Sequence, residues 1–305
     1  MSDLSTLRVL SGSYPNIDKV QSEIINLSAV LALPKGTEHF ISDLHGEYEA
    51  VTHILNNASG IIREKLTELY SKELTQDQIA ELATLIYYPT EKLVLLKEKY
   101  KNNLEKFYLF AMEYMTNFSK VVSAKYSRSK TRKRMPENYT YILEELLYAD
   151  NTLPKHHERI FKNIISLNAA DKFIEALSLF IRSLVVDKLH VLGDIFDRGP
   201  GAQKIINRLM SYHSVDYVWG NHDMLWIGAA GGSETCIANV LNVTLSYANV
   251  DTLENGYGIS LRPLMAFAEK TYPDDSEAYK PKVIEEEKIG LNDVGLVSKI
   301  RRAAA

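Results

Sequence analysis

Cysteine is nearly absent. Cys236 stands alone among 305 residues, so no disulfide framework is available. A lone thiol suits a reducing compartment, which predicts a cytoplasmic protein with Cys236 as a buried structural thiol. Long apolar runs are missing as well. The stretch from Phe173 to Val186 is interrupted by Glu175 and Arg182, so no membrane span is expected. The opening Met1-Ser2-Asp3-Leu4 lacks the charged-then-apolar pattern of a secretory signal. Neither sign of charge dominates. The 35 basic and 39 acidic residues leave a net charge of −4, which gives no general attraction to nucleic acid or membrane. Histidine has the most telling gap: all 8 lie at or before His222, and residues 223–305 contain none.

What is present is concentrated in three short motifs. They are Asp43-Leu44-His45-Gly46, Gly193-Asp194-Ile195-Phe196-Asp197-Arg198-Gly199 and Gly220-Asn221-His222-Asp223. Each follows a short apolar run rich in β-formers: residues 37–42, 188–192 and 215–219, which read as strands closed by functional loops. In α/β sheets, ligands gather beyond the carboxyl ends of the strands, so three such loops can converge. Strand alternation would point Asp43 and His45 the same way, and Gly193, Gly199 and Gly220 would let the backbone turn. A lone Asp-x-His or Asn-His-Asp is no more than a loop or cap. Three motifs in order, carrying hard oxygen and imidazole ligands beside an Arg, match what metal-assisted phosphate ester hydrolysis requires.

Between the first and second motifs lies far more chain than one crossover needs. It reads as helical. Thr75 and Gln78 form a capping box, Pro89 stops that helix and Thr90 caps the next. The stripe of Phe107, Phe110, Met112, Tyr114 and Phe118 reads as core. The run Lys125–Arg134 holds six cations in ten residues; a solvated helix end is the first reading, a phosphate-steering or effector patch the second. After His222, residues 224–233 read as a small-residue turn and Thr235 opens a helix. No further strand with a ligand loop is legible up to Ala305, so exposed sheet edge or apolar surface is expected. At 46% hydrophobic, the chain can bury a sizeable core in one or two domains.

The three motifs resemble those of the calcineurin-like metallophosphoesterase superfamily. Phe40-Ile41-Ser42-Asp43-Leu44-His45-Gly46-Glu47-Tyr48-Glu49, His53-Ile54-Leu55-Asn56-Asn57-Ala58-Ser59-Gly60 and Trp219-Gly220-Asn221-His222-Asp223-Met224-Leu225-Trp226 are similar to class III fructose-1,6-bisphosphatase of Firmicutes. The similarity runs the whole chain, which resembles the N-terminal portion of that longer family. The resemblance implies an α/β fold, part of an αββα sandwich with a large helical insertion. Residues 1–60 and 186–270 would form an incomplete core, 61–185 the insertion and 271–305 a tail. It further implies hydrolysis of the 1-phosphate of fructose 1,6-bisphosphate in gluconeogenesis, with two Mn²⁺ ions holding the attacking hydroxide. Asp43 and His45 would bind the first metal, Asp194 would bridge, and Asn221 would bind the second. His222 would protonate the leaving group, oriented by Asp197, and Arg198 would clamp the phosphate.

The histidine gap departs from that pattern. Two downstream His complete the second metal in the superfamily, whereas here only Asp194 and Asn221 remain for it, which predicts impaired hydrolysis. The partner implied is a small sugar bisphosphate, with no nucleic acid and no membrane; a homo-oligomer is compatible with the sequence. A phosphatase of another substrate in the superfamily and a non-catalytic relative stand as the alternatives.

Overall fold

Three short parallel strands frame the candidate site. In the computed structural model, which describes residues 4–148, 154–274, 276–282 and 294–305, β1 (Glu38–Ile41), β2 (Lys188–Val191) and β3 (Val215–Tyr217) form one sheet in the order β1-β2-β3. Alternation along β2 explains its central place. Leu189 and Val191 are fully buried, while Lys188 and His190 take the other face. Ile41 pairs with Val191 and Val191 with Tyr217, so all three strands end at one level. The loops after them therefore leave from a single edge. Each strand is shorter than its apolar run suggests. Residues 42, 192, 218 and 219 fall outside the ladder, and Asp43 and His45 sit on a loop. Strand alternation is consequently not what brings those two side chains together.

Helices make up most of the remainder, and the whole is α/β. The described residues divide into two compact units, residues 1–37 with 84–185, and residues 38–83 with 186–305. In the first, helix Leu104–Ser123 packs against helix Ala170–Val185, and Met112, Met115, Phe118, Phe173 and Phe180 are sealed from water. The aromatic stripe is thus core. Polar ties complete it: Asp171 accepts from Lys97 Nζ at 2.7 Å and from Tyr108 Oη at 2.6 Å. Burial, then that bond to Asp171, raises the Tyr108 pKa.

The basic run is absorbed into this unit. Residues Arg128–Arg134 form a helix capped by Ser127. Lys125 donates to Thr37 Oγ1 and to the Val185 carbonyl, and Arg134 to the Ser183 carbonyl. Arg132 faces Glu144 at 3.5 Å, while Arg128 lies 4.7 Å above the Tyr148 ring and Lys130 5.0 Å above Tyr126. Guanidinium stacking and carbonyl ties anchor a helix end, which favours the structural reading over an anion patch. Thr90 does not cap its helix. Pro89 takes the first helical position, where its missing N–H costs nothing, and the Thr90 hydroxyl donates to Glu175 at 3.0 Å.

In the second unit, Leu44, Val51, Leu55, Leu189, Val191 and Leu209 form one core cluster under the sheet. A second gathers Val240, Leu245, Leu253, Leu261, Val297 and Ile300. Residues 224–230 are helical rather than a turn, since helix Asn221–Ala230 runs through them to the bend at Gly231-Gly232. Cys236 is only partly buried, on helix Glu234–Ser246; its Sγ fills the space that a side chain at Gly228 would need. Among the described residues no strand follows Tyr217, and residues 285–288 of the expected tail lie outside them. The apolar surface anticipated for this part is present: Val218 and Trp219 are each 60% exposed beside a cleft of about 1110 Å³.

The capping box of helix Gln76–Tyr87 exists as its sequence suggests. Thr75 N–H donates to Gln78 Oε1 at 2.9 Å, and Gln78 N–H to Thr75 Oγ1 at 3.3 Å. Replacing Thr75 with Ala should lower stability by about 1 kcal/mol. Trp219 and Trp226 both belong to the same unit as Thr75, so urea unfolding followed by tryptophan fluorescence reads the shift. An unmoved midpoint would show that the box contributes nothing.

Candidate metal centre

The loops after β1 and β2 are interlocked through their backbones. His45 N–H donates to the Asp194 carbonyl at 2.8 Å, and the His45 carbonyl accepts from Gly199 N–H at 2.8 Å. The Gly46 carbonyl accepts from Gly201 N–H at 2.9 Å. Such close approach leaves no room for side chains. A Cβ on Gly46 would strike the Gly199 backbone, and one on Gly220 would strike the Asp194 carboxylate. Gly220 has an ordinary extended backbone (φ −80°, ψ 177°), so the reason for glycine there is space, not a turn. Gly193, with φ +99°, is the one of the three anticipated turn glycines that needs a left-handed backbone.

Four functional candidates share that uncommon conformation. Asp43 (φ 54°), His45 (φ 44°), Asp194 (φ 54°) and Arg198 (φ 58°) are all left-handed. Non-glycine residues persist there when their surroundings over-determine them, and such residues cluster at functional sites. The result is convergence. Ligating atoms of Asp43, His45 and Asp194 all lie within 4.8 Å of one another. Asp194 Oδ1 is buried and, among the described residues, accepts no hydrogen bond. A buried carboxylate oxygen without a donor is costly unless a cation satisfies it. Two carboxylates and one imidazole with that gap fit a hard or borderline divalent ion.

Asp197 organises the second half of the site. It is 5% exposed, and its carboxylate faces His45 Nε2 at 3.5 Å, His222 Nε2 at 3.4 Å and Arg198 Nε at 3.0 Å. The buried anion is thus paired with the Arg198 guanidinium and flanked by two imidazoles. Arg198 is exposed, free to turn its outer nitrogens to an anion. Asn221 is exposed at the first position of its helix and makes no side-chain hydrogen bond among the described residues. His39 and His190, although on strands, stand apart from this group. His39 Nε2 pairs with Ser59 Oγ at 2.6 Å, and burial lowers its pKa; His190 stacks on Phe40 with ring centroids 4.4 Å apart.

One residue of the third motif has a role that its sequence position does not declare. The buried Asp223 carboxylate accepts from Ile195 N–H at 2.9 Å, Phe196 N–H at 3.1 Å and Gly220 N–H at 2.9 Å. It ties the second loop to the third. The only advance signal is an acidic residue in the first turn of a helix, which is a common cap. In D223N the amide would face one of these donors, and charge-assisted bonds become neutral ones, a loss on the order of 2–4 kcal/mol. Amide hydrogen exchange at Ile195 and Phe196 should accelerate. Unchanged protection at both would refute the tie.

With this geometry in place, the chain can be set beside known proteins. The family model described as Firmicute fructose-1,6-bisphosphatase matches residues 5–305. The chain is 48% identical to class 3 fructose-1,6-bisphosphatases of Clostridium novyi (strain NT) over 307 residues and of Clostridium beijerinckii over 311. Each alignment covers 99% of this chain and 46% of the relative. A Clostridium botulinum (strain Loch Maree) relative is likewise 48% identical, with 45% of its length covered. The chain therefore spans about half the length of the curated relatives it matches. No solved structure matches it. By family match and by identity, the chain belongs to the Firmicute fructose-1,6-bisphosphatases.

Proposed function

We propose that this chain carries the metal-binding and phosphate-clamping part of a phosphatase that hydrolyses the 1-phosphate of fructose 1,6-bisphosphate, a gluconeogenic reaction. One observation carries the reading: Asp43, His45 and Asp194 converge within 4.8 Å around an unsatisfied buried carboxylate oxygen. The substrate is the one for which the similar clostridial class 3 fructose-1,6-bisphosphatases are named. Asp43 and His45 would hold one ion, Asp194 would lie between two, and Asn221 would hold the other, with Mn²⁺ suited to such ligands. Divalent ions bound there supply Lewis-acid polarisation of phosphoryl oxygens and acidify a water.

The remaining chemistry belongs to side chains. Arg198 offers a planar fork matching two phosphoryl oxygens, which Lys could not reproduce. His222, held 3.4 Å from the buried Asp197 carboxylate, would deliver a proton to the departing alkoxide from an imidazole whose orientation Asp197 fixes. The sheet-bearing unit would be part of an αββα sandwich. Its bounds, residues 38–83 with 186–305, differ from the 1–60 and 186–270 expected from the sequence, and Val297 and Ile300 pack in its core rather than in a tail. The protein would work in the cytoplasm on a free sugar bisphosphate, as a monomer or homo-oligomer.

A second reading, a non-catalytic relative retaining one metal, draws on one feature: Asn221 stands exposed without a partner among the described residues. Asp194 and Asn221 alone would position a second ion poorly.

One measurement tests the Asp194 site that both readings share, and a second separates them. Isothermal titration should show Mn²⁺ binding to the 305-residue chain that is lost, at least tenfold, in D194N; equal binding by both would remove Asp194 from the site. Phosphate release from fructose 1,6-bisphosphate by the same chain with Mn²⁺ should be weak or absent, because misplacing one ion of a two-ion clamp costs orders of magnitude. Vigorous turnover abolished by H222A would show instead that the second ion is adequately held.

A further inference from the structure

The Arg198 loop is held on two sides. On one, the first motif grips it: Gly199 N–H donates to the His45 carbonyl at 2.8 Å and Gly201 N–H to the Gly46 carbonyl at 2.9 Å. The other side is held by residues from none of the three motifs. Asn249 Nδ2 donates to the Arg198 carbonyl, and Thr252 Oγ1 donates to the Pro200 carbonyl at 3.1 Å. Both side chains are buried, Asn249 at 9% and Thr252 at 3% exposure. They share one turn, since Thr252 N–H donates to the Asn249 carbonyl at 3.2 Å.

Local backbone places that turn. Helix Glu234–Ser246 ends through Tyr247 and a left-handed Ala248 (φ 55°), which swings Asn249 away from the helix path. Thr252 then opens a π-helical turn, Thr252–Gly256, a rare element that recurs at functional sites. Two buried polar side chains spend their hydrogen bonds on the carbonyls of Arg198 and Pro200 rather than on their own helices. Arg198 is a left-handed non-glycine residue (φ 58°) whose side chain is 60% exposed and meets Asp197 through Nε, so the placement of its backbone decides whether that contact is kept.

We infer that Asn249 and Thr252 are positioning residues that fix Arg198 by anchoring the carbonyls of residues 198 and 200. The inference rests on the phosphate-clamp reading of Arg198 for its purpose, but not for its geometry. It gives the segment after His222, which supplies no imidazole, a definite task at the site.

The test uses the 305-residue chain and two readouts. The first is the Arg198 Nε–H resonance, identified by its loss in R198K, which reports the ion pair with Asp197 Oδ2 without any ligand. The second is titration of inorganic phosphate into the Mn²⁺-loaded chain. N249A and T252V should each displace or broaden the resonance and weaken phosphate binding threefold to tenfold, approaching R198A. T252S, which keeps the hydroxyl, should behave as the parent. I300A removes a fully buried side chain of the same unit; it should lower thermal stability while leaving both readouts alone. An unmoved resonance in both N249A and T252V overturns the inference, as does an equal displacement in I300A. Displacement in N249A and T252V with phosphate affinity equal in parent and R198A upholds the positioning role and removes the phosphate-clamp reading instead.

Discussion

The buried carboxylate of Asp223 is the contact on which the site depends. It accepts three backbone N–H groups, two from the loop after β2 and one from the loop after β3. Buried amides left without acceptors are expensive, and a charged acceptor in a low-dielectric setting is worth more than a neutral one. Asp194 lies one residue before the first of those donors, Ile195, and His222 one residue before Asp223. Fixing the two loops to each other therefore fixes the Asp194 carboxylate relative to the His222 imidazole.

Backbone interlock does for the first loop what Asp223 does for the other two. His45 both donates to Asp194 and accepts from Gly199, so the residue that offers an imidazole also spaces the loops. The cost is visible in the left-handed backbones of Asp43, His45, Asp194 and Arg198. A strand would have satisfied these residues more cheaply, but a strand directs side chains to alternate faces and separates its neighbours by the ladder spacing. Three short loops leaving one sheet edge can bring ligands closer together than a ladder allows. Glycine is required where those loops touch, and any Cβ at Gly46, Gly199 or Gly220 would push them apart.

The unit built from residues 1–37 and 84–185 uses charge differently. Its cations lie along the rim of a helical core, stacked on tyrosines or donating to helix-end carbonyls, as Arg128 and Arg134 do. In the other unit, Arg198 shares the buried Asp197 with two imidazoles and keeps most of its guanidinium exposed. Partners, more than charge count, separate an anchoring cation from one able to meet a ligand.

Much of this was legible in the residues themselves. Short β-rich runs ending in Asp-x-His, Gly-Asp-x-x-Asp-Arg-Gly and Gly-Asn-His-Asp predict strands that terminate in ligand-bearing loops, because apolar alternation and glycine punctuation are local properties. The Thr75–Gln78 box and the aromatic core stripe were equally readable, since capping and helical periodicity involve neighbours three or four residues apart. Family membership followed from the same motifs. Other features depended on residues distant in sequence. The parallel register places the strand ends level. Close approach, not turning, explains Gly220. Tyr148 and Ser183 occupy cations that looked free for anions, and Pro89 displaced Thr90 from its expected cap. Asp223 reads in sequence as an ordinary helix-start acid, and Asn249 and Thr252 as unremarkable polar residues. Their roles exist only once the chain has folded the Ile195 and Phe196 amides and the Arg198 and Pro200 carbonyls against them, because hydrogen-bond partners separated by tens of residues leave no local signature.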